Sequence, residues 1–257
     1  MKLEVVNEGD SYALSAAVLI YTNSHRQHAF ASKHEVVTLD LGPGPTPSIR
    51  PGTPFTDDDY RTLVRALAPK EQPRMQWNDP RVLAKGLGRV VWWSPPQRRS
   101  MFFKCSSHAG NAFEARGIAP TPGLVWMGTQ QELYVWAYRG NQPPTRDTPL
   151  CQAPFFNVWA RGQVCLGNAV LPPEDQRDDL DKWERTFFGS RFTHPNFTQP
   201  DRLTVGINPI QFWKNQMAKP SKTFPEKVLY DLKLRVKDLL DADLASVAAI
   251  GTARGEF

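Results

Sequence analysis

The residues whose types and spacing suit chemistry are Asn157, Gly162 and Cys165, in the run Pro154-Phe155-Phe156-Asn157-Val158-Trp159-Ala160-Arg161-Gly162-Gln163-Val164-Cys165-Leu166. A thiol can accept an acyl group and release it again as a good leaving group, so Cys165 is the candidate nucleophile of an acyl-transfer reaction. Asn157, eight residues upstream, carries an amide that can donate to the oxyanion formed when a thioester is attacked, or can brace the loop. Loss of such a donor typically costs about 3 kcal/mol in barrier. Gly162 permits a turn that a residue with a side chain resists. An unperturbed Cys is only a few per cent thiolate at neutral pH, and Arg161 is the candidate to assist its ionisation. Beyond the Cys, Asp178 and Asp179 belong to an acidic stretch (Glu174 to Asp181) able to orient or deprotonate an incoming amine. The stronger reading of that stretch is the charged first turn of a helix running into Trp183.

The run resembles the active-site segment of ubiquitin-conjugating enzymes: His-Pro-Asn-apolar, three variable residues, Gly, one variable residue, an apolar residue, Cys, Leu. Asn157, Val158, Gly162, Val164, Cys165 and Leu166 fall in that register without a gap, and Pro143-Pro144 lies about where that family has a Pro-Pro pair. Phe155 and Phe156 stand in place of the family's His and Pro. That departure is similar to a bacterial branch, the prokaryotic family D type, which lacks the His and keeps the Asn. The resemblance implies a ubiquitin-conjugating-enzyme-like fold. It also implies a thioester carrier that takes a ubiquitin-like protein onto Cys165 from an adenylating, ThiF-like activating enzyme and passes it to an amine acceptor. Phosphate-cradling glycine loops are absent, so no cofactor is expected and adenylation falls to the separate enzyme.

Other readings compete. An isolated Cys between Val164 and Leu166 is most often a small buried hydrophobe, and an inactive module of the same fold, holding a ubiquitin-like partner or DNA, would carry one. Burial of Cys165 favours that module. His194-Pro195-Asn196 copies the family tripeptide but follows the Cys, and is read as a turn. His194 also opens a cysteine-hydrolase reading with the imidazole as base to Cys165, which a contact between the two would favour. Cys105 and Cys151 have no comparable setting and are read as structural.

Around this segment the elements are legible in part. Residues 12–21 and 34–41 read as strands, and the proline-rich stretch from Gly42 to Pro54 reads as a linker unable to continue a sheet. Thr56 caps a helix with Asp57 to Asp59 at its positive end, an apolar stripe through Tyr60, Leu63, Val64 and Leu67, and Pro69 as its stop. Strand candidates follow at 89–93, 100–104, 124–127 and 133–138, the last apolar on both faces and so expected to be covered on both. From Pro225, Val228, Leu229, Leu232, Val236, Leu239 and Leu240 recur at helical spacing and predict one long amphipathic helix. The sum is an α+β fold, an antiparallel β-meander flanked by helices. Residues 1–55 form a β-rich extension and proline-rich linker, and 56–257 the conjugating-enzyme-like domain.

With 40% hydrophobic and 22% charged residues, the chain of 257 is an ordinary globular sequence, long enough to bury a core without staples. Three cysteines without a C-x-x-C pair argue against a disulfide framework or a structural zinc site. No apolar run approaches the length of a bilayer span and the start lacks a leader pattern, so a cytoplasmic protein without membrane partners is expected. The net charge is +5, with ten Lys or Arg against two acids between Arg61 and Lys104. Lacking any nucleic-acid motif, this basic segment is read as a solvated face, and nucleic acid is not an expected partner.

Overall fold

The computed structural model describes residues 6–7, 10–11, 14–22, 29–40, 45–67, 78–86, 88–105, 112–167, 169–196 and 202–241. The chain divides into two compact units, Met1–Gln76 and Trp77–Phe257.

In the first unit β1 (Val6–Asn7) pairs with β2 (Asp10–Ser11), and β3 (Ala16–Thr22) with the long β4 (Ala29–Asp40), all antiparallel. The proline-rich stretch corrects the expectation of a strandless linker: β5 (Pro45–Ile49) and β6 (Thr53–Pro54) both pair with β4. The reason is parity. Pro45 and Pro47 are two residues apart, so their missing N–H groups fall on one side of β5, and the even-numbered positions remain to meet β4. The Arg50 N–H continues that row, donating to the Glu35 carbonyl at 2.9 Å. Helix α1 (Asp57–Leu67) starts as its sequence dictates. The Asp59 N–H donates to Thr56 Oγ1 at 3.3 Å and the Thr56 N–H to Asp59 Oδ2 at 3.1 Å, a reciprocal cap. Pro69, the expected stop, lies outside the described residues.

The second unit carries a six-stranded antiparallel sheet in the order β15-β13-β12-β11-β8-β7. Its strands are β7 (Val82–Gly86), β8 (Arg89–Ser94), β11 (Gly123–Thr129), β12 (Leu133–Tyr138), β13 (Pro149–Gln152) and β15 (Asp231–Arg235). Between β8 and β11 the chain leaves this sheet. There β9 (Gln97–Cys105) and β10 (Phe113–Thr121) pair antiparallel, and β14 (Arg191–Phe192) joins β9 in parallel. The fold is α+β with mostly antiparallel strands, as the sequence predicts at that level, but the strands do not run as one meander.

Strand β12 is buried at all six positions, and its two faces separate with period two. Leu133, Val135 and Ala137 enter a core with Leu180, Trp183 and Phe187 of α2 (Leu180–Phe188) and Phe212 and Trp213 of α3 (Pro209–Ala218). Tyr134, Trp136 and Tyr138 enter a second core with Val236 and Leu239 of α4 (Val236–Asp241). Both faces are thus covered by helices, the environment its apolar run anticipates.

The single long C-terminal helix is not formed, which corrects the periodicity reading. Glu226–Val228 is one 3-10 turn, Asp231–Arg235 is strand β15, and helix resumes only at Val236. Leu232 and Leu234 also alternate with period two, and β13 offers an open edge on which Asp231 and Arg235 find Cys151 and Pro149. Ladder bonds to that edge override the local helical pattern.

Candidate active site

The site is built on the chain leaving β13. Phe155 and Phe156 are fully buried. The Phe155 ring stacks on Trp213 at 5.6 Å and meets Phe187 edge-on, and Phe156 meets Phe103 edge-on at 5.4 Å. An aromatic pair therefore anchors the chain to the core immediately before Asn157.

Asn157 is the one described non-glycine residue with positive φ, at 60°. Asn is among the few residues that adopt this left-handed conformation readily, so the chain turns sharply here. It then runs out and back as a tight loop. Val158 bridges Val164, the Trp159 N–H donates to the Gln163 carbonyl at 2.7 Å, and Ala160–Gly162 forms one 3-10 turn. Gly162 has φ of 104°, and a Cβ there would lie 2.6 Å from the Trp136 ring and 2.9 Å from the Val135 carbonyl. The return is tied to β12 by the Val164 N–H donating to the Leu133 carbonyl at 2.8 Å, and the Cys165 N–H donates to the Asn157 carbonyl at 2.7 Å. Val164 is buried and Leu166 packs against the core, so the alternation leaves Cys165 between them only partly buried.

The Asn157 side chain, itself buried, clasps a segment more than thirty residues away. Its Nδ2 donates to the Arg191 carbonyl at 2.6 Å, and its Oδ1 accepts from the Thr193 N–H at 3.1 Å and from Thr193 Oγ1 at 2.9 Å. The Asn157 N–H donates to the His194 carbonyl at 3.2 Å, and Thr193 Oγ1 lies 2.9 Å from His194 Nδ1. His194, read from sequence as part of a separate turn, thus sits beside Asn157. Thr193 and the Arg191 carbonyl were missed, because no local pattern announces a contact across so long a stretch of chain.

The Arg161 side chain lies outside the described residues. Asp178 takes a hydrogen bond from Lys85, and Asp179 caps α2 by accepting from the Asp181 N–H at 3.1 Å. Cys151 is buried beside Arg139 and Asp231; burial first, then its hydrogen bond to Asp231, pushes its thiol up to about 12. Burial likewise pushes the Cys105 thiol up to about 11. Both are poor nucleophiles at neutral pH. Among the described residues no helix is long and apolar enough to cross a membrane.

Compared with known proteins, residues 59–232, more than half of the chain, match a family model described as prokaryotic E2 family D. No curated protein and no solved structure matches.

Proposed function

The chain belongs to prokaryotic E2 family D, and from that premise we propose that Cys165 accepts the terminal carboxyl of a ubiquitin-like protein as a thioester and passes it to an amine. The donor is an adenylating, ThiF-like activating enzyme. Within the family the chain most resembles protein B of the PRTRC system. Residues 56–257 are read as the conjugating-enzyme-like domain and 1–55 as an extension to it.

One observation carries the reading: a partly exposed thiol whose backbone N–H is held by the Asn157 carbonyl at 2.7 Å. The spacing of eight residues is thereby given a physical meaning, because the loop closes on itself and returns the Cys to the Asn. The first role of Asn157 is to brace. Arg191 and Thr193 engage both ends of its amide, leaving one Nδ2 hydrogen for the thioester oxygen. Phe155 and Phe156 replace the anchoring that an imidazole and a proline would supply by packing against aromatic rings.

Partial exposure of Cys165 favours transfer over an inert binding module. Among the described residues no hydrogen bond joins His194 to Cys165, and His194 Nδ1 meets Thr193 instead, which favours a conjugating site over a Cys-His hydrolase pair. Incubation with the cognate activating enzyme, ATP and the ubiquitin-like protein should yield an adduct that thiols release. An equal yield from Cys165→Ala would refute the assignment.

A further inference from the structure

We propose that His194 is the general base of this site, its Nε2 lone pair held ready for the amine that attacks the Cys165 thioester. The inference rests on the conjugating reading above and adds the residue that handles the proton.

Hydrogen-bond polarity sets the tautomer of His194. The Arg191 carbonyl can only accept, so the Asn157 amide atom 2.6 Å from it is Nδ2. The Thr193 backbone N–H can only donate, so the amide atom it meets is Oδ1. The amide orientation is therefore dictated by its partners. Oδ1 is an acceptor, so the single hydroxyl hydrogen of Thr193 points to it across 2.9 Å. With that hydrogen engaged, Thr193 Oγ1 can only accept from His194 Nδ1, also at 2.9 Å. The proton of the neutral imidazole then sits on Nδ1, and Nε2 carries the free lone pair. Arg191, Thr193 and Asn157 together select the tautomer that can act as a base.

Placement agrees. The Cys165 N–H binds the Asn157 carbonyl, and the Asn157 N–H binds the His194 carbonyl. Asn157 is thus hydrogen-bonded through its own backbone to His194 on one hand and to Cys165 on the other, which brings both to the same turn. The His194 side chain is exposed, so an acceptor can reach it. Asp178 and Asp179, the acids proposed from sequence to meet the incoming amine, are engaged by Lys85 and by the cap of α2.

In the reaction, Nε2 removes one proton from a lysine ammonium. The freed nitrogen forms the C–N bond, the C–S bond breaks, and sulfur leaves as the Cys165 thiolate, which takes the second nitrogen proton. Amide, thiol and imidazolium are the products, and no other reactant is required.

The test loads Cys165 of the full chain by exchange with a glycine-terminated peptide thioester of mercaptoethanesulfonate and follows discharge at neutral pH. Two nucleophiles are compared: free lysine, which must lose a proton, and hydroxylamine, which is already neutral. His194→Gln should slow discharge to lysine by about 100-fold or more and leave discharge to hydroxylamine unchanged. Thr193→Val should slow lysine discharge in the same selective way. Equal slowing with both nucleophiles would make His194 merely structural and overturn the proposal, as would unchanged lysine discharge. Independently of activity, 15N NMR of the wild-type imidazole should show the Nδ1–H tautomer, and an Nε2–H signal for His194 would also overturn it. If the loaded wild-type protein discharges to lysine no faster than the free peptide thioester, the conjugating reading itself fails and the base falls with it. If the wild type discharges and His194→Gln matches it, only the base is lost.

Discussion

Asn157 combines a backbone role and a side-chain role that are separable by substitution. Its φ of 60° is adopted by glycine without strain and by Asn with little. Its amide makes three hydrogen bonds to residues 191 and 193. Asn157→Gly should therefore keep the turn and lose the clasp, whereas Asn157→Ala loses the clasp and strains the turn. We expect Asn157→Ala to lower unfolding free energy by about 1–3 kcal/mol, measurable in urea, with Asn157→Gly less affected. In both variants the Thr193 N–H should exchange with solvent faster, and unchanged exchange would show that the clasp does not hold segment 191–194. At the site itself, the thioester adduct should still form on Asn157→Gly while discharge to an amine slows.

The loop that closes on Cys165 depends on a glycine for two independent reasons. Gly162 has φ of 104°, and a Cβ there would press into the Trp136 ring and the Val135 carbonyl. Both belong to buried strand β12, which has no room to shift. Gly162→Ala should cost about 2 kcal/mol or more and should weaken thioester formation without touching the thiol; a variant of wild-type stability would mean the turn relaxes freely. Helix α1 offers a different test. The hydrogen bond from Lys33 first, and then those from Thr56, hold the Asp59 carboxyl down to about 2 from its ordinary 3.8. Because the folded value lies below the unfolded one, this contribution to stability is complete above about pH 4 and is lost as pH falls through 2. An NMR titration of the Asp59 carboxyl should show a midpoint near 2, moving up toward 3.8 in Lys33→Met. A midpoint unmoved by that change would remove Lys33 as the cause.

Across the larger unit, one buried carboxylate joins both sheets to α2. Glu184 of α2 accepts from Trp92 Nε1 of β8 at 3.2 Å and from the Arg99 guanidinium of β9, and Arg81 approaches it at 3.5 Å. Burial pushes the Arg99 guanidinium below its usual value while the Glu184 charge opposes the shift. Removing the acid alone leaves a desolvated cation, so Glu184→Leu should cost about 3–5 kcal/mol. The double substitution Arg99→Met with Glu184→Leu should recover much of that loss, because neither charge is then buried unpaired. Additive losses in a denaturant cycle would mean that the two residues are not coupled. The network also explains why the sequence conceals it: Trp92, Arg99 and Glu184 lie on three elements of two layers, and none has a distinctive neighbour in the chain.

The features legible in the chain alone are those that short-range chemistry controls. The spacing of Asn157, Gly162 and Cys165 was readable because it describes one loop whose turn residues and thiol are all local. The Thr56 cap was readable because it acts over three residues, and the double-sided burial of β12 because every position of 133–138 is apolar or aromatic. Long-range packing and pairing settle the remainder. Residues 231–235 satisfy a helical and a strand period alike, and the open edge of β13 selected the strand. Pro45 and Pro47 forbid a ladder on one side only, and whether the other side finds β4 is not written in their own neighbourhood. His194 reaches Asn157 across more than thirty residues because β14 joins β9 and carries the following segment past the loop. Contacts of that kind follow from which buried edges and rings are brought together, not from the residues that flank them in the chain.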